Sequence, residues 1–291
     1  MIPPRFDYVR PSSLPDVLRI LREREGEAKL LAGGYSLIPV LKLRLASPGL
    51  LVDLRDVAGL DAIVETDDNI RIGARATHRQ IVENALLADR YPIFAEAGAT
   101  IGDPQVRNWG TIGGSCAHAD PAATWPAVLI ATRSALVARS EAGERTIPAR
   151  EFFLDTFTTA LTSTEVLTEV RVPRPGRRSG GAYAAIERKA GDFPTAGAAV
   201  QLRLGDDGRI AEVGIGLTAV AEAPFAATEA EALLVGATPD EATFREAGRA
   251  AAAQSRPTSD SHGPADYKRA MAAEMTVRAL RRAVARARGE A

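Results

Sequence analysis

The sequence predicts an α/β chain, α+β overall: two small α/β units at 1–57 and 58–175, then a C-terminal unit at 178–291 with an antiparallel sheet and helices. Three observations predict it. Strand-like and helix-like segments alternate up to about position 175. A stretch rich in Pro, Gly and Arg interrupts that pattern at 173–181. Beyond it, strand-like runs give way to an Ala-rich helical tail.

In the first unit, residues 15–25 (PDVLRILRERE) carry Val17, Leu18 and Leu21 on one face and charges on the other, the period of a helix. Residues 29–32 read as a short buried strand that stops at Gly33-Gly34. Ser36 is the expected N-cap of a helix through Arg44, with Pro39 in its first turn, and 50–54 (LLVDL) is a second strand.

The second unit opens with a strand at 69–74 (NIRIGA), a helix from Thr77 to about Arg90 and another over Pro92–Ala99. Residues 106–116 read as turn-rich, with Gly110, Gly113 and Gly114 close together. Asp120 followed by Pro121 predicts an N-cap and N1 for a helix to Ala131. Strands at 135–139 and 166–172 complete the unit. The stretch 173–181 (PRPGRRSGG) reads as a linker unable to form a buried element. After it, 182–188, 197–204 and 210–220 predict antiparallel strands, with Gly205-Asp206-Asp207-Gly208 as a tight hairpin turn, and 267–288 spans about six helical turns.

Composition narrows the function. The formal net charge is −1 and no Lys/Arg block occurs, which argues against a nucleic-acid partner. The single cysteine, Cys116, excludes an internal disulfide or a multi-cysteine cluster, and His78, His118 and His262 lie far apart, so no metal site is expected. The N-terminus has no basic segment followed by an apolar one, and no apolar run approaches the ~18 residues of a membrane span, so a cytoplasmic protein is expected.

The chemistry is concentrated at two glycine pairs, Ala32-Gly33-Gly34-Tyr35-Ser36 and Thr111-Ile112-Gly113-Gly114-Ser115, each between a strand-like segment and a helix start. Glycine lets the backbone approach a ligand closely, and successive N–H groups can converge on phosphate oxygens. One such pair is an ordinary turn more often than a site. Two in one chain point to a dinucleotide with two phosphates. Neither is GxGxxG nor a P-loop.

At these loops the chain resembles the medium, flavin-binding subunits of carbon monoxide dehydrogenase and related molybdenum hydroxylases, whose flavin domain also occurs in xanthine dehydrogenase. The resemblance spans nearly the whole chain and rests on AGGYSLIPVLKLRLASP (32–48), IRIGARATHRQI (70–81), IGDPQVRNWGTIGGSCAHADPAATWPA (101–127), TALTSTEVLTEVRVP (159–173), ERKAGDFPTAGAAV (187–200) and SHGPADYKRAMAAEMTVRALRRA (261–283). It implies a two-subdomain PCMH-type FAD-binding fold and a C-terminal domain of the carbon monoxide dehydrogenase flavoprotein type. It implies that Ala32, Gly33, Gly34, Tyr35 and Ser36, with Thr111, Ile112, Gly113, Gly114 and Ser115, hold the FAD pyrophosphate. Ala74 and Thr77 would line the cofactor, Asp120 would bond near the ribityl chain or cap the helix behind it, Leu167 would lie against the isoalloxazine, and Lys189 near its pyrimidine edge. Molybdopterin and iron–sulfur clusters would sit on a large and a small partner subunit, in a dimer of heterotrimers. Three departures stand out. Tyr35 replaces a short polar residue or histidine, Thr124-Trp125 replace an Asp-Leu, and Ala184 and Ala185 fill a stretch where the xanthine dehydrogenase branch carries a lysine.

Other residues read more plainly. His78 caps or packs beside the Thr77 helix, Cys116 is a small buried residue, Trp125 packs, and Trp109 and His118 stay open between packing and flavin contact. The basic positions of the C-terminal helix (Lys268, Arg269, Arg278, Arg281, Arg282, Arg286 and Arg288) read as a solvated face. No acid/base dyad is apparent, so the work expected of the chain is binding and tuning a flavin that passes electrons to a terminal acceptor. A stand-alone flavin oxidoreductase of the same fold and a non-catalytic nucleotide-binding module are the alternatives. The compound oxidised and the acceptor are not written in this chain.

Overall fold

The computed structural model describes residues 2–290. Its first sheet is parallel, with Leu50–Asp53 between Asp7–Val9 and Ala28–Leu31. Parallel neighbours need a crossover: the segment carrying the helix Leu37–Lys42 joins Ala28–Leu31 to Leu50–Asp53, and the helix Leu14–Glu23 joins the two outer strands. Ser13 accepts the Asp16 N–H and Pro15 falls in the first turn, which fixes the start of that helix. Val17, Leu18 and Leu21 bury against Leu50 and Val52.

The second sheet is antiparallel, in the order Ile63–Glu65, Asn69–Gly73, Val166–Pro173, Ala135–Ser140, Gly143–Pro148. The edge strand Gly143–Pro148 (GERTIP) is mostly exposed and has no apolar alternation, so periodicity does not reveal it. Ile70, Ile72, Val170 and Val172 share one core with Phe94 on the helix Pro92–Ala99 and Trp125 on the helix Thr124–Ala131. Val166 of the central strand packs instead with the first unit.

The third sheet is antiparallel, in the order Ser179–Glu187, Pro194–Leu204, Ile210–Thr218, Phe225–Ala226. The helix Ala265–Arg288 packs on it through Ala279, Leu280 and Ala283. The helix Thr124–Ala131 also packs on it, with the Ala127 and Ala131 carbonyls pressed onto Gly216 and Gly214. Every residue of Thr124–Ala131 is therefore buried, although its flanks come from different sheets. Buried Glu231 joins the units: both of its oxygens accept from Arg150, at 2.9 and 2.6 Å, and one also accepts the Ile215 N–H.

Several expectations need correction. The helix foreseen over 77–90 is two, His78–Val82 and Ala85–Arg90, because Asn84 accepts the Leu87 N–H and starts a new helix. Residues 106–116, read as turn-rich, are mostly helical. Asp103 caps Pro104–Trp109 and Thr111 caps Ile112–His118, two helix starts masked by the glycine content. The helix predicted from Asp120 begins only at Thr124, because Asp120 accepts the Ala122 N–H and closes a turn that holds Pro121. Ser36 precedes Leu37–Lys42 in helical conformation and makes no side-chain cap.

The linker is shorter than read: Gly180 and Gly181 belong to the strand Ser179–Glu187, and a Cβ on Gly180 would lie 2.1 Å from the Ala283 carbonyl. Nor is the basic face of the last helix simply solvated. Lys268 is buried with its ammonium 2.6 Å from Asp260, Arg282 and Arg286 pair with Glu96, and Arg281 pairs with Glu241.

Candidate functional site

The first glycine loop leaves the strand Ala28–Leu31 and enters the helix Leu37–Lys42. Gly34 sits at φ +83°, the left-handed region that glycine adopts without strain. Among the described residues, the N–H groups of Gly33, Gly34, Tyr35 and Ser36 donate to no protein acceptor. Four consecutive free backbone donors on a largely half-buried turn are the kind of positive dipole ends that can take an anion.

The second loop is built differently. The Ile112 N–H donates to the Ala76 carbonyl, Gly113 to Ala74, Ser115 to the Thr111 carbonyl, and Gly114 to the Thr111 hydroxyl. Its backbone donors are thus engaged within the protein, and what it can turn outward is hydroxyl. Ser115 Oγ has no partner among the described residues, and Thr111 Oγ1, an acceptor from Gly114, still has a proton to donate. Gly113 is there for packing: a Cβ would lie 2.5 Å from that of Ala74.

The structure brings the two loops together. A Cβ on Gly33 would stand 2.0 Å from the Trp109 carbonyl oxygen and 2.9 Å from the Gly110 Cα, and one on Gly114 would touch Ala32 at 3.9 Å. Ala74 and Thr77 fall in the same cluster. The Ala74 N–H donates to Thr168 at the bulge of the central strand, and Thr77 makes a β-bridge with Thr111. Leu167, at that bulge, is 5% exposed. Asp120 lies half-buried past the second helix with one oxygen engaged by Ala122. Tyr35 is exposed.

Lys189 is placed apart from these. It is exposed, on the turn after Ser179–Glu187, and among the described residues its ammonium has no ion pair. The turn borders a cleft of about 390 Å³ lined by Asp103, Arg107, Glu187 and Gly191. Burial pushes the Glu187 carboxyl up from its ordinary value.

Behind the loops lies a residue that pattern reading treats only as packing. His78 is 5% exposed, and its Nδ1 accepts the Trp125 indole N–H at 2.9 Å. Its own N–H donates to the Gly110 carbonyl, and a Cβ on Gly110 would lie 2.6 Å from Nε2. Burial, helped by the Arg107 charge, pushes the imidazole down to about 4. His118 is half-buried beside Phe157, ring centroids 5.0 Å apart, and burial lowers it against the opposing pull of Asp120. Cys116 is fully buried, and burial pushes its thiol up. Trp125 is enclosed, whereas Trp109 is 54% exposed with the Arg55 guanidinium 5.7 Å from its ring centroid.

Among the described residues no cluster of His, Cys, Asp and Glu could hold a metal, and no helix is long and apolar enough to cross a membrane. The arrangement is a binding site without a paired acid and base. It fits a flavin dinucleotide on two counts: free backbone donors for phosphate, and a close-packed floor of Ala74, Gly113 and Leu167 with no ionisable side chain.

The comparisons agree with this reading. Residues 4–175 match the model described as FAD binding domain in molybdopterin dehydrogenase, and 181–283 match CO dehydrogenase flavoprotein C-terminal domain. The carbon monoxide dehydrogenase medium chain of Afipia carboxidovorans is 41% identical over 99% of this chain and 100% of its own. Carbon monoxide dehydrogenase from Hydrogenophaga pseudoflava superposes with a TM-score of 0.96 at 43% identity, covering 98% of this chain and 99% of that one. Quinoline 2-oxidoreductase from Pseudomonas putida 86 gives 0.92 at 34% identity, covering 100% and 99%.

Proposed function

Because this chain belongs to the family of FAD-binding medium subunits of carbon monoxide dehydrogenase and related molybdenum hydroxylases, we propose that its two glycine loops hold one FAD by the pyrophosphate and that the flavin carries electrons from an iron–sulfur subunit to a terminal acceptor. Bound flavin supplies a redox centre that exchanges one or two electrons. The chain's own residues bind, orient and exclude water. Gly33, Gly34, Tyr35 and Ser36 offer backbone N–H groups to phosphate, and Thr111 and Ser115 offer hydroxyls from the other side. Ala32, Ile112, Gly113 and Gly114 keep the two loops close, Ala74, Thr77 and Leu167 form the floor, and Asp120 keeps one carboxylate oxygen for the ribityl hydroxyls. Lys189 supplies positive charge at the outer edge.

The observation that carries this reading is the seating of Gly33 on the Trp109 carbonyl, which joins a loop of free donors to a loop of free hydroxyls. The partners are a large and a small subunit in a dimer of heterotrimers in the cytoplasm. The molybdenum centre and the iron–sulfur clusters reside there, since this chain has one cysteine. Relatives of similar overall fold are named for carbon monoxide and for quinoline, so the oxidised compound is set by the large subunit.

Tagging this chain in its native host and purifying under mild conditions tests the assignment. Iron and molybdenum should co-elute with flavin at constant ratio. A yellow chain that elutes alone, free of both metals, would make it a separate flavoprotein.

A further inference from the structure

Four residues in a row connect the protein core to the first glycine loop. Trp125 is enclosed in the core, and its indole N–H is taken by His78 Nδ1. An accepting Nδ1 puts the proton of the neutral ring on Nε2. The Nε2 edge lies against Gly110 so closely that a methyl there would come within 2.6 Å. The His78 main-chain N–H also donates to the Gly110 carbonyl, at 2.9 Å. Against the Trp109–Gly110 peptide also lies Gly33, whose Cα leaves no room for a Cβ.

We propose that His78 is a positioning residue for the cofactor: held by Trp125, its ring fixes the Trp109–Gly110 peptide, and that peptide fixes the Gly33 loop in the shape that presents its free donors to phosphate. This rests on the reading of that loop as the FAD phosphate site. The two ring nitrogens have separate tasks. Nδ1 satisfies the indole, which serves stability. The Nε2 edge sets the height of the 109–110 peptide, which serves FAD.

Amide side chains separate the two. His78→Asn places an acceptor near the Nδ1 position but falls short of Gly110. His78→Gln reaches the Nε2 position and gives up the Nδ1 geometry. Full-length variants are stripped of flavin, and FAD is titrated back by fluorescence quenching, with the melting temperature of each apo chain measured in parallel. The expected result is an FAD Kd weakened roughly tenfold or more in His78→Asn, with its apo melting temperature near wild type, and a Kd within about threefold of wild type in His78→Gln with a lower melting temperature. Gly110→Ala approaches from the other side, placing a methyl 2.6 Å from Nε2 and 2.9 Å from the Val106 carbonyl while His78 and Trp125 themselves are unchanged, and should weaken FAD as His78→Asn does. It keeps the test open should His78→Asn fail to fold. Equal Kd values for the two amides, or wild-type affinity in Gly110→Ala, would overturn the proposal. Wild-type chain that takes up no FAD would sink the underlying reading instead.

Discussion

The Cα of Gly33 rests on the carbonyl of Trp109, with 2.0 Å between that oxygen and the place a Cβ would occupy. Backbone meets backbone there, so no rotamer change can make room. Gly33→Ala should push the loops apart and raise the FAD Kd at least a hundredfold, about 3 kcal/mol. Gly34→Val should act similarly through its left-handed φ of +83°. Equilibrium dialysis of the folded variants against FAD checks both. Tight binding by Gly33→Ala would mean that the contact is dispensable.

In the second loop the expected defect is of another kind. A Cβ on Gly114 would come 2.7 Å from Thr111 Oγ1, the oxygen that caps Ile112–His118. Gly114→Val should therefore cost a cap, about 1 kcal/mol, as well as FAD. Thr111→Val removes the same cap without adding bulk, at a similar cost of about 1 kcal/mol, and should weaken FAD in a chain that still folds. Unchanged flavin content in both Thr111→Val and Ser115→Ala would assign the second loop to packing alone.

Stability should depend on pH through His78. Its folded pKa of about 4 lies below the ordinary 6.5, so between these values the unfolded chain binds the extra proton. The contribution is whole above pH 6.5, falls as pH drops toward 4 and levels off below, a loss of about 3 kcal/mol. Urea midpoints of the apo chain at several pH values should show a steeper acid loss in wild type than in His78→Gln. Parallel curves would place the dependence elsewhere.

FAD should be held without a covalent bond. Cys116 is enclosed and its thiol is pushed up, and His78 is buried and engaged with Trp125, so neither offers a free nucleophile to the ring. Acid precipitation should leave a colourless pellet and all of the flavin in solution. A yellow pellet contradicts this.

Lys189 is exposed, so water and salt screen its charge. Lys189→Met should lower the flavin potential by no more than ~20 mV, equivalent to about 1 kcal/mol for two electrons, with FAD still bound. A redox titration giving the same or a higher potential would place the ammonium away from the flavin.

Much of this was legible in the sequence, for identifiable reasons. Leu50–Asp53 is a short apolar run, Val166–Pro173 alternates apolar and polar residues around Val170 and Val172, and helix Leu14–Glu23 has a clear 3.6-residue period. Helix starts were harder. Asp103 and Thr111 are good N-caps, but the glycines after Thr111 disguised its helix, while Asp120-Pro121 has the composition of a helix start and spends its carboxylate on a turn. Gly180 and Gly181 looked like linker because pattern reading cannot show the helix Ala265–Arg288 lying across them. At the site, both loops were visible as glycine pairs. Their difference, free donors in one and engaged donors in the other, depends on Ala74 and Ala76, which lie far off in the chain. His78 was legible as a packed residue, and only its contact with Gly110 gives it a further role.

Binding of a dinucleotide through its phosphates is read out most directly by calorimetric titration of the flavin-free protein with FAD and with riboflavin. One FAD should bind per chain, with riboflavin, which lacks the pyrophosphate, weaker by at least about a hundredfold, near 3 kcal/mol. Riboflavin binding as tightly as FAD would contradict the account, because the free donors of Gly33 to Ser36 would then contribute nothing.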